Sequence, residues 1–120
     1  VESLEKKEEN NKENNKQDFM ITGYVPFCKE GCIGITKTGY NVKNTIYYNG
    51  MRIIAVDPNI IPLYSIVNID YNGKIIKAIA LDTGGGIKGR HFDLLFKYRQ
   101  DAVEFGVKHL KIEVIRWGKK

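Results

Sequence analysis

No stretch of this chain approaches the ~20 consecutive apolar residues of a membrane-spanning helix, so no helical membrane span is expected. Histidine is scarce. His91 and His109 are the only two, and neither stands in a ligand-type pair, which leaves a four-ligand zinc site hard to assemble around Cys28 and Cys32. Those two are the only cysteines. Their Cys-Lys-Glu-Gly-Cys spacing can close a small disulfide loop, and an even count fits an exported protein; a zinc pair and two plain thiols are the alternatives. The basic residues are scattered, without a helix-turn-helix, finger or aromatic RNA-binding pattern, so no nucleic-acid partner is expected. Lys88 is followed by Gly89 rather than Ser or Thr, which excludes a nucleotide-phosphate loop of the usual kind.

What the chain does contain is unevenly distributed. Residues 1–18 hold six acids, four lysines and almost nothing apolar, a net charge of −2. Such a segment cannot repay the entropy of folding and is expected to be a flexible charged linker. Residues 19–120 carry the remaining +7, enough to favour anionic partners at long range, among which nucleic acid, anionic cell-wall polymer and acidic lipid all qualify on charge alone. They are long enough for one small core. The chain starts with Val and lacks the basic-then-apolar order of a signal peptide, so a trimmed or processed product is expected.

Apolar alternation predicts a first strand over 19–25, ended by Pro26, with Phe19, Ile21 and Gly23 sharing a face. Asn49-Gly50 and Asn72-Gly73 are strong hairpin dipeptides. They join 46–48 to 51–56 and 66–71 to 74–81. Residues 99–106 read as a short helix ending in glycine, and 111–116 as a final strand. Short strands with long loops suggest a small closed β-barrel, mainly β, with six strands and one or two short helices.

The chain is organised around residues 81–93, Leu-Asp-Thr-Gly-Gly-Gly-Ile-Lys-Gly-Arg-His-Phe-Asp. Three successive glycines are costly in any regular element and suit a backbone that something approaches closely. Apolar, strand-like segments flank the loop, so two strand ends are expected to carry Asp82 and Asp93 to one rim. This stretch resembles the signature of the three-aspartate (3D) domain, a relative of membrane-bound lytic transglycosylase A. Gly23-Tyr24, Cys32-Ile33-Gly34-Ile35-Thr36, Thr38-Gly39, Ile54-Ala55-Val56-Asp57-Pro58 and Ile61-Pro62-Leu63 resemble the family's earlier blocks, in order. Tyr64 stands where the family usually shows glycine.

The resemblance implies a double-psi β-barrel, no cofactor and no metal. Asp57, Asp82 and Asp93 would be the three aspartates. It also implies an extracytoplasmic protein acting on peptidoglycan glycan strands as a lytic transglycosylase. In that chemistry one acid protonates the leaving oxygen between N-acetylmuramic acid and N-acetylglucosamine. As carboxylate it then takes the proton from the muramyl C6 hydroxyl, which closes a 1,6-anhydro ring. An internal nucleophile removes the need for the paired carboxylates of ordinary glycosidases. Asp93 matches the catalytic position, and to act near neutral pH it needs a pKa above the usual ~3.9, from apolar neighbours and the Asp82 charge. Thr36, Thr83, Gly84, Gly85, Lys88 and Arg90 are candidate substrate contacts. For Thr36 a turn-forming role is the alternative, for Lys88 and Arg90 a solvated loop charge, and His91 is taken as a bystander. A non-catalytic glycan-binding module is the principal rival. Asp82-Thr83-Gly84 is also the triplet of aspartic proteases, but only 38 residues follow Asp82, which is the wrong order for the short dimeric kind.

Overall fold

The computed structural model describes residues 16–26, 34–84 and 86–118. The pair Cys28 and Cys32, Gly85, and the expected linker except for Lys16, Gln17 and Asp18 lie outside them. Among the described residues, seven strands and one helix follow in order. They are β1 (Lys16–Tyr24), β2 (Tyr47–Tyr48), β3 (Met51–Val56), β4 (Ile66–Tyr71), β5 (Lys74–Thr83), β6 (His91–Leu95), α1 (Arg99–Phe105) and β7 (Lys108–Arg116). Hydrogen bonding runs β2-β3-β5-β4-β7-β1-β6, and β6 returns to β3. Six strands therefore close a mixed barrel, and β2 is an extra strand.

Both predicted hairpin turns form, with positive φ at Asn49, Gly50, Asn72 and Gly73, the left-handed pair that a two-residue turn with this twist requires. β1 and β7 each start three residues before their predicted boundaries. They pair antiparallel from Lys16↔Glu113 to Ile21↔Lys108, so each extends the ladder of the other through stretches whose side chains give little apolar signal.

Two cores result. Phe19, Ile21, Ile54, Val56, Ala78, Ala80, Phe92 and Leu94 pack inside the barrel. Ile53, Ile79, Leu81, Leu95 and Val42 form a second cluster, on the opposite side of the same strands because successive residues alternate faces. β3 contributes to both, and its residues Ile53, Ile54, Ala55 and Val56 are all buried. Helix α1 packs against β1. Its Phe105 lies 5.3 Å from Phe96 and 5.9 Å from Tyr71, ring centre to ring centre. At Gly23 a Cβ would stand only 3.0 Å from the Cα and Cβ of Ala102, so glycine lets the helix come this close.

Candidate functional site

The site is a row across four strands on the outer face of the barrel wall. Thr22 of β1 is the register partner of Asp93 on β6. Asp93 is the partner of Ala55 on β3, and Ala55 is the partner of Asp82 on β5. With neighbouring strands about 4.8 Å apart, the Cα atoms of the two aspartates stand roughly 10 Å apart with only a methyl side chain between them. Asp93 is mid-strand rather than at a strand end, so the meeting place is the wall and not the expected rim.

A register shift makes this row possible. Ile54 pairs with Ala80, but Ala55 pairs with Asp82, leaving Leu81 over. Without the extra residue Asp82 would share the inward face of Ala78 and Ala80, since side chains alternate. The bulge turns it outward beside Asp93. The Leu81 carbonyl accepts from the Thr38 hydroxyl at 2.8 Å and the Thr38 N–H at 3.2 Å, which secures the bulge from the neighbouring loop.

Asp82 is held at several points. Its Oδ1 accepts the N–H of Lys37 at 2.8 Å and of Thr83 at 2.9 Å, and its Oδ2 accepts the Tyr24 hydroxyl at 3.3 Å. The Tyr24 phenol is pushed well above the usual range, first by burial, then by the charge and hydrogen bond of Asp82 and the charge of Asp93. It therefore remains a neutral donor. Asp93 Oδ1 accepts the Thr22 hydroxyl and lies 3.0 Å from His91 Nε2. The same ring nitrogen is 3.1 Å from Thr22 Oγ1. His91 thus stands in direct contact with Asp93 and Thr22.

Asp82 and Asp93 line one open cavity of 340 Å³, with Tyr24, Ile35, Ala55 and Ile87 among its walls. Asp57 does not line it. This carboxylate is buried and accepts the N–H of Gly89 at 2.9 Å and of Asn59 at 3.0 Å. Those two bonds hold its pKa below the usual carboxylate range, with the charge of Lys88 acting in the same direction. Its place is to clamp the loop after β5. Gly89 takes the positive φ that the loop needs there, and the Ile87 N–H donates to the Gly84 carbonyl at 3.1 Å.

The remaining candidates separate. Thr83 and Gly84 line the cavity, whereas Lys88 and Arg90 are exposed on the loop outside its lining. Thr36 is buried. Its hydroxyl lies 3.0 Å from that of Thr38 and accepts the Tyr40 N–H at 3.0 Å, which shapes the turn over 36–40. Sequence reasoning passed over Thr22, Tyr24 and Ala55 as site residues. Alternation puts Thr22 and Tyr24 on the face opposite Phe19 and Ile21, a usable signal, but nothing local announces that β1 lies beside β6. Among the described residues no three His, Cys, Asp or Glu side chains converge as a metal site.

The pattern described as the 3D domain matches residues 52–116. The chain is 48% identical over 106 residues to the SPbeta prophage-derived uncharacterized protein YorM of Bacillus subtilis, covering 88% of this chain and 44% of that one. It is 36% identical over 107 residues to the cell wall-binding protein YocH of the same organism, covering 88% and 35%. The chain thus spans less than half the length of these relatives. Among solved structures, Streptomyces papain inhibitor superposes with a TM-score of 0.55 at 21% identity, covering 84% of this chain and 94% of that one. MltA from E. coli superposes with a TM-score of 0.52 at 19% identity, covering 79% and 29%.

Proposed function

Because the chain belongs to the 3D-domain family, we propose that it is an extracytoplasmic cell-wall domain whose cleft binds peptidoglycan glycan strands. One observation carries the reading. Asp82 and Asp93 flank Ala55 in a single open cavity, so two acceptors face a ligand across an apolar floor. Convergent polar groups on a mostly apolar surface are the usual composition of a small-ligand cleft. Carboxylates suit the hydroxyl and amide donors of N-acetylated sugars, and the exposed Lys88 and Arg90 can attract the lactyl or peptide carboxylates of the wall. A cell wall-binding relative fits this role. A barrel of similar fold inhibits papain, so the fold by itself does not demand turnover. For the barrel we adopt the double-psi form, supported by its two parallel strand pairs, β1 with β6 and β3 with β5.

A second reading is favoured by the surroundings of Asp93. The hydroxyl of Thr22 and the ring of His91 both meet Oδ1, which fixes the carboxyl in one orientation, as an acid/base requires. Asp93 would pass its proton to the leaving glycosidic oxygen as the bond to the muramyl anomeric carbon breaks. It would then recover a proton from the C6 hydroxyl as that oxygen bonds to the same carbon. No water is consumed. Asp82 would stabilise positive charge on the sugar ring, and Asp57 would hold the loop.

The test is mass spectrometry of purified peptidoglycan after incubation with wild type and with Asp93→Asn, together with a sedimentation assay on intact sacculi. Binding without released fragments supports the module. Fragments with 1,6-anhydromuramic ends from wild type alone support the transglycosylase. Wild type that neither sediments with sacculi nor releases fragments would refute both.

A further inference from the structure

The geometry points to a second sugar subsite, an aromatic hollow formed by Tyr40, Tyr48 and Tyr64 beside the aspartate cleft, which takes a neutral N-acetylated sugar of the same strand. This inference rests on the glycan-binding reading above and extends it. The hollow has a volume of 200 Å³, and Thr38, Gly39 and Leu81 complete its lining. None of these residues is charged. Phenol rings with a few hydroxyls match a pyranose, which has apolar C–H faces and a polar rim, and match poorly an anion or a stem-peptide carboxylate.

The hollow and the cleft share no lining residue but adjoin across the bulge. Leu81 lines the hollow while the next residue, Asp82, lines the cleft. Thr38 lines the hollow and bonds the Leu81 carbonyl, and Lys37 just before it donates its N–H to Asp82. A strand lying over Asp82 and Asp93 that ran on past Lys37 and Thr38 would meet the tyrosines.

Tyr64 gives the independent observation. It has φ of 71°, a left-handed conformation in which a bulky side chain is an outlier and glycine is at ease. Its backbone is tied on both sides, the N–H donating to Ala80 O at 2.7 Å and the carbonyl accepting from Arg116 Nη2 at 3.1 Å. Nearly half of the residue remains exposed, at 48%, so burial of the ring does not account for the strain. Strain held in place by surrounding bonds is a mark of function. The other two rings are fixed. Tyr40 and Tyr48 meet edge to face at 5.0 Å, and the Tyr40 hydroxyl donates to Tyr47 O at 3.4 Å.

Calorimetric titration with β-1,4-linked N-acetylglucosamine oligomers of two to six sugars tests the subsite with peptide-free probes. Wild type should bind the hexamer about tenfold more tightly than the dimer, the scale of one stacked ring. Tyr64→Gly and Tyr64→Asn, which both accept the positive φ, should abolish that gain with length. Tyr98→Ala, which removes a tyrosine 60% exposed and outside both linings, should retain it. A gain with length that survives both Tyr64 variants, in a protein whose hexamer binding Asp82→Ala weakens, overturns the subsite alone. If wild type binds neither oligomers nor sacculi, the glycan reading falls and the subsite with it.

Discussion

Gly23→Ala would place a methyl carbon 3.0 Å from Ala102 Cα, Ala102 Cβ and Phe96 Cδ2, well inside the ~3.5–4.0 Å at which carbon contacts are favourable. Two of the three neighbours belong to α1, and one is backbone, so a rotamer change cannot relieve the overlap. The helix must move away from β1 and loosen the packing of Phe105 on Phe96 and Tyr71. Overpacking of this kind costs about 1–3 kcal/mol, and alanine regains about 0.5–1 kcal/mol through the smaller backbone entropy lost in a strand. The net loss is about 1–2 kcal/mol. For a domain of this size that lowers Tm by about 5–15 °C, measurable by calorimetry or circular dichroism. Ala102→Gly removes one of the three contacts, so the double variant should be more stable than the summed single effects predict. A Gly23→Ala protein melting at or above the wild-type temperature, or strict additivity in the pair, would refute this account of the helix–strand contact. The effect reaches the site because Thr22 and Tyr24, on either side of Gly23, hold Asp93 and Asp82.

Three further outcomes are expected. The pKa of Asp57 is lowered in the folded state, so its stabilisation is present above the unfolded value of ~3.9 and is lost as pH falls through the folded one. Asp57→Asn should flatten the acid limb of a stability–pH curve, and an unchanged limb below pH ~4 would contradict the clamp. Tyr24 is shifted the other way: its contribution is complete below the unfolded value of ~10 and is lost as pH rises above it, so Tyr24→Phe should flatten the alkaline limb, as read by urea melts. Ala55→Leu should fill the floor between the aspartates and weaken sacculus binding about tenfold or more; a folded variant that binds normally would place the ligand elsewhere.

Local chemistry alone determined much of this protein. Asn49-Gly50 and Asn72-Gly73 specify their turns because the required positive φ is a property of the residues themselves, and two-residue alternation marks the strands they join. The glycine-rich loop and its flanking aspartates were visible for the same reason, as was the short helix ending at Gly106. Tertiary structure decided which aspartates share a cleft. A strand side chain points to one face or the other according to register, and register is set by partners distant in sequence. The extra residue at Leu81 turned Asp82 outward, the return of β6 to β3 placed Asp93 across Ala55, and the Gly89 N–H drew Asp57 into a clamp. The parallel pairing of β1 with β6 added Thr22 and Tyr24. No short window of sequence contains those pairings, because each joins segments whose contact exists only once the barrel has closed.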